Sequence, residues 1–313
     1  MNIVIFGGTG FLGKNLCERL TKEEHNLKIY TRYNIFNHSK EHVFKNKMQF
    51  VKGDFSKEKN FDNIVKNADC VYQLISTSNP SINNPINDLL NTVYPTLRLI
   101  EACIRENVKK IIFFSSGGTV YGIPDNIPIN IKDHTNPISA YGIQKLMIEK
   151  YLEFYHRMYG IDISILRIAN PYGKWQKPFS SQGLIANIIA KYYINETLEI
   201  WGDGNVVRDY IFIDDVIDAA IKAMNYKGDT KVFNIGSGIG ISINDVIREI
   251  EKILGNQIKR KYIASRKQDV PINILDIKDS INILKWYPKT SLREGINCMV
   301  EQWNSGKKEF CGK

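Results

Sequence analysis

The chain has 313 residues, of which 43% are hydrophobic and 24% are charged, and its formal net charge at pH 7 is +9. This balance is typical of a soluble globular protein and excludes a disordered or fibrous chain. A chain of this length can bury a large core, and two lobes are expected. The apolar runs 111–114 and 161–166 are far shorter than a membrane span, so no membrane partner is expected.

The basic residues are interspersed with acidic ones, and only the short run 259–261 and the basic tail 307–313 are locally unbalanced. No groove-reading motif accompanies this charge, so we expect no nucleic-acid partner. The five cysteines show no C-x-x-C spacing and no histidine at metal-ligand spacing, which predicts no metal site. The odd cysteine count and an N-terminus unlike a signal peptide predict a cytoplasmic protein.

In chain order, the first half alternates short apolar strands with helical stretches. Strands are predicted at 2–6, 27–30, 48–51, 70–75 and 110–114, and helices at 11–20 and 86–106. Strands that are apolar throughout and joined by helices predict an α/β fold with a doubly wound parallel sheet covered on both faces. After the strand 161–166 the rhythm breaks, and the Gly-, Lys-, Pro- and Ser-rich stretch 172–183 predicts a loop that leaves the sheet.

The segment GGTGFLG at 7–13 follows the first predicted strand directly and opens a helix. Gly7 permits the tight turn, Gly10 lets backbone N–H groups approach a pyrophosphate, and Gly13 lets the helix pack on the strand. This arrangement predicts a Rossmann-type dinucleotide site with the cofactor residues Gly7, Gly10, Phe11, Leu12 and Gly13. The dinucleotide-binding lobe is then 1–168 plus about 209–236, and a smaller mixed α+β substrate lobe is about 169–208 and 237–306.

The second predicted strand ends in Thr31-Arg32 and carries no acid at its tip. An acid there contacts the ribose hydroxyls in many NAD sites, whereas a hydroxyl followed by Arg suits the 2′-phosphate of NADP. The cofactor is therefore NAD or NADP, with NADP(H) suggested by this pair. Asp54, after the third strand, is placed to bond the adenine amino group, and an ordinary Asp at a loop start is an equal alternative.

Tyr141 and Lys145 lie four residues apart, which places both on one face of a predicted helix. Lys145 as an ammonium ion, together with a nicotinamide cation, is expected to lower the Tyr141 pKa. A phenol tuned in this way exchanges a proton with a sugar hydroxyl while the cofactor carries the hydride. The polar turn SSGGTVYG at 115–122 follows a buried strand and is expected at the same edge of the sheet.

The glycine turn, the SSGGTVYG stretch and the Tyr141/Lys145 pair together resemble the extended short-chain dehydrogenase/reductase family, and within it the UDP-glucose 4-epimerase-like nucleotide-sugar enzymes. The resemblance covers residues 1 to about 303 and implies further cofactor contacts from Phe55, Leu74 and Asn91. It also implies that a nucleotide-sugar substrate contacts five residues, which are Asn170, Leu198, Trp201, Arg208 and Arg266. Two separate arginines suit a diphosphate because each supplies charge-assisted hydrogen bonds.

The sequence departs from the family pattern at the catalytic hydroxyl. The family's Ser or Thr falls at Gly117, so that hydroxyl is missing. Ser116 and Thr119 are the nearby candidates to hold the reacting sugar oxygen, and Thr119 is slightly preferred.

The function that the resemblance favours is a UDP-hexose 4-epimerase, acting on the glucose/galactose pair or on their N-acetyl forms. A 4-keto-6-deoxy nucleotide-sugar reductase that is specific for a dTDP- or GDP-linked sugar is the alternative, and Thr31-Arg32 and Gly117 favour it. A non-catalytic dinucleotide sensor is a remote third possibility. Such proteins tend to lose the Tyr/Lys pair, whereas this chain retains it. The family also implies a homodimer through the helices at about 86–106 and 139–159. Apolar surface for it is available from five residues, for each of which a place in the core is an equal alternative: Leu90, Tyr94, Leu97, Leu146 and Tyr155.

Overall fold

The computed structural model describes residues 1–32, 48–78, 84–180, 182–265 and 270–305. The strands within these ranges are β1 (Asn2–Phe6), β2 (Asn26–Thr31), β3 (Met48–Lys52), β4 (Cys70–Gln73), β5 (Lys110–Ser116), β6 (Asp162–Ile168), β7 (Asn170–Tyr172), β8 (Leu198–Trp201), β9 (Val207–Phe212), β10 (Val232–Ile235), β11 (Gly240–Ser242), β12 (Arg260–Ile263) and β13 (Ile272–Asn273). The helices are α1 (Phe11–Leu20), α2 (Phe61–Val65), α3 (Pro85–Asp88), α4 (Tyr94–Arg105), α5 (Ala140–Tyr159), α6 (Leu184–Tyr193), α7 (Ile213–Asn225), α8 (Ile243–Leu254), α9 (Lys278–Leu284) and α10 (Leu292–Asn304).

Seven strands form the main sheet, in the spatial order β3-β2-β1-β4-β5-β6-β10, and every neighbouring pair is parallel. The order reverses direction between β1 and β4, where a doubly wound sheet opens a crevice at the carboxyl ends of its strands. The prediction of a doubly wound parallel sheet is therefore confirmed.

Helices cover both faces of this sheet, so the core consists of two clusters of buried side chains, one on each face. On one face α2, α4 and α5 pack over side chains such as Phe6 and Phe113, and on the other α1 and α7 pack over side chains such as Ile5 and Ile112. Ile5 and Phe6 are both fully buried although they point to opposite faces. This explains why the strands are apolar throughout instead of alternating.

The predicted helix 86–106 is interrupted. A π-helical segment, Leu89–Val93, joins α3 to α4, and the Tyr94 N–H donates to the Leu89 carbonyl five residues earlier. Pro95 follows, and it has no N–H to continue the ordinary ladder of helical hydrogen bonds.

The longest helix, α5, is delimited as its sequence dictates. Ser139 caps its first turn by accepting a hydrogen bond from the Gly142 N–H at 3.1 Å, and Gly160 ends it with a φ of +72°. These two caps fix the two ends of the helix that carries Tyr141 and Lys145.

The chain leaves the main sheet immediately after β6. β7 pairs with β9 in a second sheet that also contains β11 and β13, while β8 and β12 form a two-stranded sheet. The chain returns to the main sheet through α7 and β10. Because β9 belongs to the second sheet, the chain passes from the second sheet back to the main sheet near residue 213. The division into two functional lobes stays a prediction.

Among the helices of the described residues, none combines the length and apolar character needed to cross a bilayer. In the same ranges, the side chains of His, Cys, Asp and Glu form no group of three that could hold a metal ion.

Candidate active site

Glycines build the turn between β1 and α1. Gly7 has a φ of +92°, a conformation in which a side chain is strained. A Cβ on Gly13 would lie 2.1 Å from the Gly7 carbonyl oxygen, so α1 packs against the turn only because residue 13 has no side chain. None of the described side chains caps the first N–H groups of α1, which begins after Gly10. This cradle fits the phosphates of a dinucleotide, which bind backbone N–H groups at a helix N-terminus.

The predicted cofactor residues Thr31 and Leu74 lie beside this turn. The Thr31 hydroxyl oxygen is 3.4 Å from that of Thr9, and the Leu74 N–H donates to the Phe6 carbonyl at 3.0 Å. Phe11 and Leu12, in the first turn of α1, are half-buried against the core. The carboxyl ends of β1, β2 and β4 therefore bring these residues together.

Asp54 and Arg32 are also close to one another. Hydrogen bonds from Ser56, together with the positive charge of Arg32, hold the pKa of Asp54 below its usual value. The aromatic ring of Phe55 lies in the core, 5.4 Å from that of Phe61, so only the Phe55 backbone is available for the predicted cofactor contact.

Tyr141 and Lys145 lie on one face of α5, at the carboxyl end of β5. The Lys145 Nζ atom is buried, donates to the Phe114 carbonyl at 2.7 Å and lies 5.7 Å from the centre of the Tyr141 ring. The hydrogen bond to a strand carbonyl fixes the ammonium group beside the phenol. The two side chains therefore lie next to each other on one helix face, as their spacing predicts.

The protein's own groups do not lower the Tyr141 pKa. Burial, together with the negative charge of Asp88, raises it to about 12. Burial also lowers the Lys145 pKa to about 8, although the charge of Glu149 acts in the opposite direction. The predicted lowering of the Tyr141 pKa therefore depends on the charge that a bound cofactor brings.

The polar turn after β5 presents one hydroxyl without a partner. The Thr119 Oγ1 atom is buried and has no hydrogen-bond partner among the described residues. A Cβ on Gly142 would lie 2.8 Å from the Thr119 carbonyl oxygen, so this turn contacts the first turn of α5 next to Tyr141. Ser116, at the end of β5, is half-buried.

Gly117 faces the protein interior. A Cβ there would lie 2.6 Å from Leu275 Cδ1 and 3.0 Å from the Arg167 carbonyl oxygen. A serine at 117 would therefore need Leu275 to move, and the hydroxyl that the turn offers is the one on Thr119.

A buried network of charged and polar groups supports α5. Glu149, one turn after Lys145, is fully buried, and its carboxylate accepts from the Arg167 guanidinium at 2.7 Å and from the Ser115 hydroxyl. Arg167 also donates to the Tyr121 hydroxyl at 2.9 Å, and that hydroxyl donates to Asn234 Oδ1 at 2.7 Å. The network joins α5 to β5, β6 and β10 beneath the reaction pair.

The predicted substrate residues are distributed over the smaller sheets. Asn170 begins β7 and donates to the Asp209 carbonyl at 3.3 Å, and Arg208 is half-buried on the neighbouring strand β9. Trp201 is 43% exposed at the end of β8, whereas Leu198 is buried in the core, so only the Leu198 backbone is available to a ligand. Arg266 lies outside the described residues.

Asn91 belongs to the π-helical segment, and its side-chain amide donates to Asn87 Oδ1 at 2.6 Å. This contact joins it to the preceding helical turn. Its cofactor contact stays a prediction.

Comparison with known proteins identifies the family. The sequence model of the NAD dependent epimerase/dehydratase family matches residues 3–236. The chain belongs to this family. The resemblance drawn from the glycine turn, the SSGGTVYG stretch and the Tyr141/Lys145 pair is therefore confirmed, and so is the expectation of an NAD(P)-dependent enzyme.

Two relatives and one solved structure show the range of activities near this family member. The UDP-glucose 4-epimerase of Mycolicibacterium smegmatis is 30% identical over 307 residues, which cover 96% of this chain and 98% of the relative. The dTDP-4-dehydro-6-deoxyglucose reductase of Escherichia coli is 32% identical over 311 residues and 96% of each chain. The structure of the Thermotoga maritima UDP-glucose 4-epimerase with UDP-glucose superposes with a TM-score of 0.90, at 34% identity, over 97% of this chain and 99% of that one.

The buried network of this family member was not predicted from sequence. One signal was available, since Tyr141, Lys145 and Glu149 follow a spacing of four and share a helix face. A second was Arg167, a charged residue that ends an apolar strand. Neither signal reveals that the two charges meet, because Glu149 and Arg167 belong to different elements.

Proposed function

We propose that the protein is a UDP-hexose 4-epimerase. The observation that carries the proposal is that Tyr141, Lys145 and the turn with Thr119, whose hydroxyl has no partner among the described residues, meet at the carboxyl edge of the sheet. The glycine turn lies at the same edge. A chain 34% identical over almost its whole length, with UDP-glucose in its structure, supports this activity.

Each of the three groups has a distinct role in the proposed reaction. The glycine turn would hold NAD, which would supply the hydride chemistry at C4 of the hexose. The Tyr141 phenolate takes the proton of the C4 hydroxyl during oxidation and gives it back during reduction, so the cycle needs no external acid or oxidant. Thr119 donates a hydrogen bond to the reacting oxygen, with Ser116 as the second hydroxyl. Lys145, held by the Phe114 carbonyl, keeps a positive charge beside the phenolate.

The remaining residues are assigned by their position, except Arg266, which lies outside the described residues and is assigned by the family resemblance alone. We assign the dinucleotide to the backbone of the glycine turn and its surroundings, which comprise Phe11, Leu12, Thr31, Arg32, Asp54, Phe55, Leu74 and Asn91. We assign the diphosphate of the sugar nucleotide to Asn170, Arg208 and Arg266, and its base to the Leu198–Trp201 strand. We place the reaction in the cytoplasm, as the cysteine pattern suggests.

A second candidate is a 4-keto-6-deoxy nucleotide-sugar reductase. One observation favours it: Thr31 lies at the glycine turn and is followed by Arg32, a pair that suits the 2′-phosphate of NADPH. The 32% identity to the Escherichia coli reductase supports the same alternative.

We further propose a homodimer that uses the α3–α4 and α5 surfaces. Leu90 and Tyr94 are 55% and 54% exposed, and Ile143 and Phe154 on α5 are 50% and 44% exposed. Such a concentration of exposed apolar side chains on two packed helices is typical of an interface. Leu97 and Leu146 are half-buried and pack against the core, while Tyr155 is buried and donates to Glu101 instead.

The test is to incubate the purified protein with UDP-glucose, without added cofactor, and to follow UDP-galactose. The N-acetyl pair and a dTDP-linked 4-keto-6-deoxy sugar with NADPH are assayed in parallel. Tyr141→Phe is the control, and it should lower turnover by about 10²- to 10⁴-fold while dinucleotide binding is retained.

Two results would contradict the proposal. Reduction of the 4-keto sugar without epimerisation of any UDP-hexose would replace the epimerase by the reductase. Unchanged turnover in Tyr141→Phe would remove the assigned role of the phenol. In addition, the dinucleotide released on denaturation is identified by mass, and NADP in place of NAD favours the reductase.

A further inference from the structure

Asp88 has an environment that a structural role does not explain. It ends α3, it is 1% exposed, and neither of its carboxylate oxygens has a hydrogen-bond partner among the described residues. A buried carboxylate without hydrogen bonds is unfavourable. The residues that follow it, Leu89 and Leu90, are exposed, so Asp88 points inward from a helix whose neighbouring positions face outward.

The interior that Asp88 faces contains the reaction pair. α3 packs against α5, and the negative charge of Asp88 acts on Tyr141. Gln144, three residues after Tyr141, adds a second buried acceptor without a partner, its Oε1 atom, while its Nε2 atom donates to the Ser78 hydroxyl at 2.6 Å. Two side chains, Asp88 and Gln144, therefore have acceptor atoms without donors among the described residues, and both belong to the packed region of α3 and α5.

The charges around Tyr141 come from three elements. α5 itself carries Lys145 and Glu149, β6 contributes Arg167, which is paired with Glu149, and α3 contributes Asp88. In the described part of the chain, β5 faces this region with the Ser115 hydroxyl and the Phe114 carbonyl, which are uncharged. Glu149 is paired with Arg167 and acts on Lys145, whereas the negative charge of Asp88 acts on Tyr141.

We propose that Asp88 is a positioning residue for the proton of Tyr141: its buried carboxylate, carried by a helix that packs on α5, favours the protonated phenol. This rests on the proposed role of Tyr141 in the reaction. Oxidation of the sugar hydroxyl begins from the phenolate, and reduction of the keto group begins from the phenol. Asp88 thereby sets the pH at which the oxidation step becomes available.

The test is the pH profile of kcat/KM for UDP-glucose in Asp88→Asn, which removes the charge and keeps the shape. The profile should move to lower pH by about one unit, so that turnover on its rising limb increases up to about tenfold. A variant that only damaged the site would lose activity at every pH. Asp125→Asn, at an exposed position, is the matched control and should leave the profile unchanged.

A second measurement does not depend on turnover. The ultraviolet absorbance of tyrosinate is titrated in the parent and in Tyr141→Phe, and their difference isolates the Tyr141 phenol. In the Asp88→Asn background this difference should appear about one pH unit lower. Asp88→Ser serves as a second neutral variant if the amide does not fold.

The outcomes separate the two claims. Unchanged pH profiles and unchanged tyrosinate titration overturn the role of Asp88, even if the protein is an active epimerase. If no UDP-hexose is turned over, the proposed function fails, and the tyrosinate titration still decides whether Asp88 controls the phenol.

Discussion

The glycine turn and the reaction helix α5 are held in place by different means. At the turn, the constraint is the shape of the backbone, because Gly13 contacts the Gly7 carbonyl where a Cβ would lie at 2.1 Å. At α5, the constraint is a buried ion pair, in which Glu149 and Arg167 are joined at 2.7 Å beneath Lys145.

This difference reflects what each region does in the proposed reaction. A phosphate-binding turn has to leave room, so small residues and free backbone N–H groups suffice. A proton-transfer site has to hold charges at fixed positions in a low-dielectric interior, which requires every charge to be paired or opposed. The first region should therefore be sensitive to added volume and the second to altered charge.

The largest expected effect comes from breaking the ion pair. Glu149→Gln leaves Arg167 buried without its anionic partner, and it should lower the free energy of unfolding by about 3–5 kcal/mol. The matched control is Asp62→Asn, which breaks an exposed pair with Arg105 of the same 2.7 Å length and should cost at most about 1 kcal/mol. Urea unfolding measures both. Equal losses in the two variants would show that burial does not distinguish the pairs.

Added volume at the glycine turn should have the next largest effect. Gly13→Ala forces the Gly7 carbonyl and Gly8 apart from α1, and it should lower stability by about 1–3 kcal/mol and weaken dinucleotide binding. Gly118→Ala is the control, because the nearest side-chain atom to its new Cβ is the Ser116 hydroxyl at 4.0 Å. Thermal unfolding and a dinucleotide titration report both effects. Similar behaviour of the two variants would contradict the steric account.

Removal of the basic group beside the turn should change cofactor preference. If Arg32 recognises a 2′-phosphate, Arg32→Ser should weaken NADP binding about tenfold and leave NAD binding unchanged, since the lost contact is a charge-assisted hydrogen bond. Dissociation constants for both dinucleotides, measured by calorimetry, give the answer. A parallel loss for the two cofactors would argue that Arg32 does not read the phosphate.

The effect that is smallest at any one pH step is a pH dependence of stability from Lys145. Its pKa is about 8 in the folded protein against an ordinary value of 10.5, so between these values the unfolded chain binds more protons. The contribution of Lys145 to stability therefore increases with pH in this window, by up to about 1.4 kcal/mol per pH unit.

Lys145→Met removes the titratable amine and with it this pH-dependent contribution to stability. Its stability advantage over the parent, measured by urea unfolding at pH 7.5 and at pH 9.5, should decrease as the pH rises. An advantage that is constant with pH would contradict the burial of an ammonium ion at this position.

The sequence predicts the turn better than the reaction helix, for a physical reason. The residues of the turn are contiguous and follow a strand whose apolar pattern is unambiguous, so Gly7, Gly10 and Gly13 could be assigned locally. The Tyr141/Lys145 pair was found in the same way. The network below it could not be predicted, because Ser115, Glu149, Arg167 and Asn234 come together only when β5, α5, β6 and β10 pack.

Two details of the site also required three-dimensional information. The lack of space for a side chain at Gly117 results from Leu275, which is remote in sequence. The burial of Asp88 depends on α3 packing against α5, and a sequence pattern reads Asp88 as an ordinary polar residue near the start of a helix.

Reversible oxidation at C4 of a UDP-hexose can be followed with UDP-glucose that carries deuterium at C4. We expect UDP-galactose to form without added cofactor and to retain the deuterium at C4, because in this mechanism the same hydride leaves and returns. Loss of the label from the product, or no UDP-galactose from a protein that reduces a 4-keto-6-deoxy sugar nucleotide, would contradict it.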